Sequence, residues 1–395
     1  MPRFEPFPAL RYATSELDDV IAPPYDVLSD ADVDALAARD PHNIVRVDVP
    51  REPDGADRYE QAARRLQRWI DEGLLARDAE PSLTLYRMRF VDETGRRRQI
   101  VGVMGALEVV DEGAGGVLPH ERTTPKASTD RLDLTRATKA NLSPVWGLSL
   151  ATGLTELLAP RAEPIGSVHV DGVDHSVERL TDADRVAEIT ARVTSDDVLI
   201  ADGHHRYSIA RTFRDEVRAT TGSRDSAAEL TLAFVSELVD DQLSVAAIHR
   251  VYRGIEHGDL IDALGRGFVM SSAGEVGTHT LSEMDARGAL CLVGRDGSGT
   301  WLEPRPGAFD GVRDLDGAWL EHVLDGTPVD VSYQHGVEQL TEIVRSDPGV
   351  AAGVLIRPVS VAEIERTARE GLLMPPKSTF FTPKLRTGFV VRELA

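Results

Sequence analysis

The chain has 395 residues, 42% of them hydrophobic, with 65 acidic against 44 basic side chains and a formal charge of −21. That length predicts two or three compact units with buried cores, and that charge disfavours nucleic-acid phosphates and anionic membranes as partners. The single cysteine excludes an internal disulfide, and no run of about eighteen uncharged apolar residues predicts a membrane span, so a soluble cytoplasmic protein is expected.

Strand-like and helix-like stretches alternate along the chain, which predicts an α/β (α+β) protein with mixed sheets. "VIAPPYDVLS" (20–29) carries two prolines that impose an extended path, then Tyr25 and Asp26 before a Ser29 cap. Asp26 is either a wall of a pocket or an ordinary turn residue. "SDADVDALAARD" reads as the helix that Ser29 caps. "PHNIVRV" (41–47) reads as a strand whose Asn43 and Arg46 are placed to hold a small carboxylate. In "DRYEQAARRLQRWIDEGLL", Tyr59, Ala62, Ala63, Leu66, Trp69 and Ile70 share one helical face. "SLTLYRMRFV" and "RRRQIVGVMGALEVV" form a hairpin through "DETGR", so a mainly antiparallel first unit is expected over 1–160.

"LPHERTTPKASTDR" (118–131) contains Pro119 and Pro125 and reads as a loop. Loops on a scaffold often carry function, and Glu121 beside His120 is a candidate general base or a Mg²⁺ ligand through water. Pro, Gly and polar residues in 156–180 predict a boundary near residue 160. Beyond it, helix ("TDADRVAEITARV"), strand ("DVLIA"), helix ("HRYSIARTFRDEVRAT") and strand ("LTLAFVSEL") predict a small α/β module over 161–255. His249 and Arg250 close the run "LSVAAIHR", where a strand would release them toward a site. The remaining region, 256–395, mixes short strands with the helices "VEQLTEIVRS" and "SVAEIERTAREG". Cys291, in "GALCLVG", reads as a small buried hydrophobe. "PPKSTFFTPKLRTGFVV" brings Lys377, Ser378, Thr379, Lys384 and Arg386 into one basic, aromatic segment, a second anion-facing patch on an acidic protein.

The densest chemistry lies in "DVLIADGHHRYSIA" (197–210). A helix starting near Gly203 has outward N–H groups and a partial positive charge at that end. His204, His205 and Arg206 in its first turn add to that charge, at a cost of roughly 0.3–1 kcal/mol each. A bound phosphate or carboxylate would compensate, and Asp202 would supply part of the negative charge. Gly203 permits close approach, Arg206 offers a planar fork for phosphate oxygens, and a histidine moves protons near neutral pH. Walker-type, CxxC, HExxH and G-x-S-x-G motifs are all absent from the sequence.

These residues carry a resemblance. "ADGHHRYSIA", with "VIAPPYDVLS", "NIVRV", "HERTTPKASTDRL", "NLSPVWGL", "HRVYRG" and "MPPKSTFFTPKLRTGFV", resembles the bacterial and archaeal family of unknown function DUF1015. The strand ending in "DGHHR" and entering a helix is also similar to the ParB/sulfiredoxin-like fold, which includes free serine kinases, sulfiredoxin and nucleotide-binding partition proteins. That likeness implies a central module of this kind, with Gly203, His204, His205 and Arg206 on nucleotide phosphates and Asp202 close by.

The resulting expectation is a small-molecule phosphotransferase resembling a free amino-acid or hydroxy-acid kinase, using ATP or ADP with Mg²⁺ and acting on a small anionic metabolite. Arg206 and the helix start would hold phosphates, Glu121 or Asp202 would deprotonate the acceptor, and Lys377 or Lys384 would steady the transferred group. The rivals are a nucleotide-responsive regulatory protein of ParB-like type, and a phosphatase or phosphodiesterase using His204 or His205.

Overall fold

In the computed structural model, which describes residues 1–51, 57–92, 95–119, 128–277, 279–374 and 377–394, the first helix starts from its side-chain cap. Ser29 Oγ accepts the Asp32 N–H and Asp32 accepts the Ser29 N–H, a reciprocal capping box that opens α1 (Asp30–Arg39). The strand expected in "PHNIVRV" is instead the short helix α2 (Val45–Asp48). Asn43 is the reason. Its fully buried side chain donates to the Asp19 and Ile21 carbonyls and accepts the Val45 N–H, turning the chain before the β-branched run can extend. α3 (Arg58–Asp71) buries Ala62, Leu66 and Trp69 from its apolar face. The segment read as a loop as far as residue 131 is helical from Ser128, forming α4 (Ser128–Thr138). Both prolines, Pro119 and Pro125, precede that start, so nothing interrupts the helix.

The chain divides into two compact units: Met1–Ser244 with Glu365–Leu373 and Phe381–Ala395, and Val245–Ile364 with Met374–Phe380. The first is built on a nine-stranded mixed sheet. Its strands are β1 (Phe4–Glu5), β2 (Leu83–Val91), β3 (Arg97–Glu108), β4 (Val117–Pro119), β5 (Val145–Ser149), β6 (Glu163–Val170), β7 (Val173–Leu180), β8 (Val198–Asp202) and β9 (Leu230–Glu237). Their spatial order is β4-β8-β5-β9-β3-β2-β7-β6, with β1 beside β3. β8 runs parallel to β4 and β9 parallel to β5, and the other pairs are antiparallel. The expected hairpin is β2–β3, with Val91 opposite Arg97. The Pro- and Gly-rich stretch 156–180 carries a second hairpin, β6–β7, whose Val173, His175 and Val177 turn inward with period two.

β9, in the middle of the sheet, buries every one of its residues, because both faces are covered. On one face lie α5 (Leu154–Leu158), α6 (Ala183–Val193) and α7 (His204–Thr221), packed through Leu154, Leu158, Ile189, Val193, Tyr207 and Ala210. The alternate residues build an aromatic layer: the Phe234 ring meets Tyr86 at 5.5 Å and Trp146 at 5.6 Å between centroids. Gly102 on β3 lies directly under that layer. A Cβ there would come within 2.3 Å of the Phe234 ring and 2.8 Å of the Val235 carbonyl. Gly102→Ala is therefore expected to destabilise the protein by about 1–3 kcal/mol. A lower urea midpoint at unchanged slope would record the loss, and an unchanged midpoint would show that the ring layer yields freely.

The second unit is a fully antiparallel six-stranded sheet of β10 (His249–Arg253), β11 (Phe268–Glu275), β12 (Leu290–Val293), β13 (Ser298–Pro304), β14 (Asp330–Gln334) and β15 (Val350–Leu355). Its order is β11-β13-β12-β15-β10-β14. The packed helices are α8 (His257–Gly265), α9 (His279–Arg287), α10 (Asp316–Val323) and α11 (Val337–Ser346). Alternation along β12 sends Leu290 and Leu292 toward α8 and α10, and Cys291 and Val293 toward α9 and α11. Burial pushes the Cys291 thiol up to about 12, so it packs as a hydrophobe. Among the described residues, no helix is long and apolar enough to cross a membrane.

Candidate functional site

β8 ends at Asp202 and α7 begins at His204, so a single residue makes the turn. Gly203 does so at φ +88°, in the left-handed region, and a Cβ on it would lie 3.0 Å from the Arg206 guanidinium carbon. Helix geometry points the first N–H groups of α7 outward beyond the end of the strand.

The positive charge expected to call for a bound anion is answered in part from within the chain. Arg206 Nη2 donates to Asp202 Oδ2 at 2.6 Å, and its Nη1 donates to the Pro144 carbonyl. Lys384 Nζ donates to the other Asp202 oxygen at 2.8 Å, and Asp26 Oδ2 lies 3.9 Å from Arg206. Burial alone would raise the Asp202 carboxyl, but Lys384 and Arg206 outweigh it and hold the group well below the usual carboxylate range. A carboxylate with both oxygens on cations is a strong counter-ion and a poor proton acceptor.

A second set of charges lies beside the first. Arg131, in the first turn of α4, stacks over the Tyr25 ring at 3.9 Å and donates to Asp48 through the carbonyl and, at 3.2 Å, through Oδ1. Asp48, the last residue of α2, is 3% exposed. Burial raises its carboxyl, against the pull of Arg131 and Arg206. Tyr25, Asp48, Arg131 and Arg206 line a cavity of about 50 Å³, whose polar wall is completed by Thr135, Asn141, Ser143 and Thr231.

The fold thus brings together Asp26, Asp202, Gly203, Arg206 and Lys384, with His204 and His205 on the same first turn of α7. His120 and Glu121 lie outside the described residues. Asn43 has its polar atoms engaged by backbone, and Arg46 donates to the Ala37 carbonyl at 2.5 Å. His249, Arg250, Lys377 and Ser378 belong to the second unit. There His249 and Arg250 open β10 instead of ending a strand, because pairing with β14 and β15 begins at these residues. His249 is buried, accepts the Ile356 N–H at 3.3 Å, and is pushed down to about 3 by burial and by His335 and Arg250. Arg250 lies over Tyr333, donates to the Ile248 and Lys377 carbonyls, and lines with Ser378 a cavity of about 260 Å³. The basic segment 374–388 is therefore divided, with Lys384 in the first unit and Lys377 and Ser378 in the second. Sequence reading did not single out Asp48. Its one local signal is an acid closing the mainly apolar run "NIVRVD".

Residues 4–318 match the sequence profile of a family described as protein of unknown function, DUF1015. The chain belongs to that family. Among solved structures, this DUF1015 chain is similar to a conserved hypothetical protein from Pyrococcus furiosus, at 13% identity over 70% of this chain and 92% of that one, with a TM-score of 0.38. It is similar to a free serine kinase in complex with AMP, at 14% identity over 69% and 89% of the two chains, again at 0.38. It is also similar to C-terminally truncated SbnI from Staphylococcus aureus, at 12% identity over 73% and 87%, with a TM-score of 0.37. None of the curated proteins matches the chain in sequence.

Proposed function

We propose that this chain is a small-molecule phosphotransferase whose phosphate donor, ATP or ADP, binds at the start of α7. The observation that carries the reading is one carboxylate, Asp202, holding Arg206 and Lys384 on its two oxygens at the N-terminus of a helix that follows a left-handed glycine. Clusters of strongly shifted ionisable groups mark functional sites. Cations concentrated at the positive end of a helix oppose its dipole and favour an anionic ligand. Asp202 sets the spacing of the two cations. Lys384 and the helix start would then meet phosphate oxygens, with the charge of Arg206, whose fork is held by Asp202 and the Pro144 carbonyl, close beside them, and His204 and His205 flank the same turn. In phosphoryl transfer the charge spreads over the equatorial oxygens, which fixed cations stabilise without reorganising.

Mg²⁺ takes one or two protein carboxylates and otherwise water and phosphate oxygens. Asp26, with its side chain 40% exposed beside Arg206, suits that part, whereas Asp202 has both oxygens on cations. Among the described residues, no group of three or more His, Cys, Asp or Glu is placed to hold an ion. When bound, Mg²⁺ would neutralise phosphate charge.

Incubation of the purified chain with labelled ATP or ADP and a panel of amino acids and hydroxy acids tests the reading. Transfer of label to a small acceptor is the expected result. Nucleotide binding without transfer to any acceptor would favour a regulatory protein instead. If no nucleotide or phosphorylated metabolite raises the melting temperature, the reading falls.

A further inference from the structure

Asp202, with both oxygens on cations, is a poor proton acceptor, whereas Asp48 has one oxygen that is not so engaged. Arg131 occupies one Asp48 oxygen, while Asp48 Oδ2 and Arg131 Nε are buried and have no hydrogen-bond partner among the described residues. Arg131 Nε does lie 3.4 Å from Asp130 Oδ2, as an ion pair. Buried polar atoms are almost always paired, and exceptions gather where an ion, a water or a ligand belongs. Both residues line the cavity of about 50 Å³ under α7, and Arg206 lines it too.

An unfilled acceptor and an unfilled donor on two residues that line one small cavity are complementary to a group with both capacities. A hydroxyl is the smallest such group, with one O–H to give and lone pairs to receive. A single water needs only about 10–15 Å³ of such space. The cavity has room for a hydroxyl together with the carbon that bears it.

We propose that this cavity is the acceptor subsite, taking the hydroxyl-bearing end of a small metabolite with its O–H directed at Asp48 Oδ2. Its catalytic meaning rests on the phosphotransferase reading. The acceptor O–H bond breaks and its proton passes to Asp48. The acceptor oxygen bonds to the γ-phosphorus of ATP, or to the β-phosphorus of ADP. The bridging P–O bond breaks and its electron pair stays on the departing nucleotide. Arg206, shared by the cavity and the turn, sets the two ligands side by side.

Binding of matched pairs that differ by one hydroxyl tests the subsite without nucleotide. Glycolate against acetate, and L-serine against L-alanine, would be titrated by saturation-transfer NMR. The wild type is expected to favour the hydroxyl-bearing member at least about tenfold, as sites built around a hydroxyl do. Asp48→Asn should abolish the preference. Thr135→Met, which fills the cavity from α4 and leaves Asp48 in place, should do the same and carries the test if Asp48→Asn does not fold. Equal affinities in the wild type, no binding of any probe, or a preference that survives in both variants would overturn the subsite. AMP titrated into the same wild-type protein separates the two ideas. AMP binding without a hydroxyl preference sinks the subsite and spares the nucleotide site, and a preference without AMP binding does the reverse.

Discussion

Arg206→Ala is expected to lower the unfolding free energy by about 3–5 kcal/mol, the range for breaking a buried ion pair by removing one partner, and to abolish nucleotide binding. The Arg206 side chain is 10% exposed and that of Asp202 20%, so water replaces little of what is lost. Asp202 Oδ2 and the Pro144 carbonyl both lose the donor that Arg206 supplies, and Asp202 keeps Lys384 at 2.8 Å. Arg206→Lys should recover part of the stability and little of the binding, because one ammonium does not span the carboxylate and the carbonyl as the guanidinium fork does. Urea unfolding and calorimetric titration with AMP read the two effects separately. A stability loss below about 1 kcal/mol would mean that Asp202 is hydrated like a surface carboxylate.

Asp202→Asn acts on the same triad from the other side. Arg206 and Lys384 then face each other at a positive helix end without their counter-ion, so stability is again expected to fall by about 3–5 kcal/mol. Phosphate affinity should move the other way and rise, because removing a carboxylate from between two cations makes the local potential more positive. Weaker phosphate binding in this variant would count against an anion site at the turn.

The pH dependence follows from the direction of the shift. Asp202 is held below its unfolded value, so its contribution is complete above about pH 4, where the unfolded carboxylate is ionised. It fades as pH falls toward the folded value. The stability difference between wild type and Asp202→Asn should therefore be flat near neutrality and shrink in acid. Asp48, raised in the folded protein by burial, pulls in the opposite direction: its contribution is largest below about pH 4 and is lost as pH rises through its folded value. Unfolding of Asp48→Asn across the same range isolates that component.

Much of the fold is legible along the chain because its signals are local. The β2–β3 hairpin, the capping box of α1 and the step from β8 through Gly203 into α7 each depend on residues within a few positions of one another. The segment "PHNIVRV" misleads for the opposite reason. Its β-branched residues favour a strand, but the Asn43 side chain bonds to carbonyls 24 and 22 positions away and forces a turn. The loop reading of 118–131 overreached because the prolines act only on their own neighbourhood, and α4 begins after them.

At the candidate site, residue types at 202–206 already mark a turn dense in charged and titratable groups, since glycine, imidazole, guanidinium and carboxylate stand next to one another in sequence. Which charge answers which is a different matter. Lys384 meets Asp202 across 182 positions, and Arg131 meets Asp48 across 83. Charge pairing over such separations leaves no periodic trace, because it depends on how strands are ordered in the sheet and where helices cross it. Only after folding does Asp202 become a suppressed carboxylate locked between two cations, and Asp48 a buried one with an oxygen to offer. The chain spells out its elements and its charged turn through short-range geometry, and the long-range packing decides which partners each acid meets.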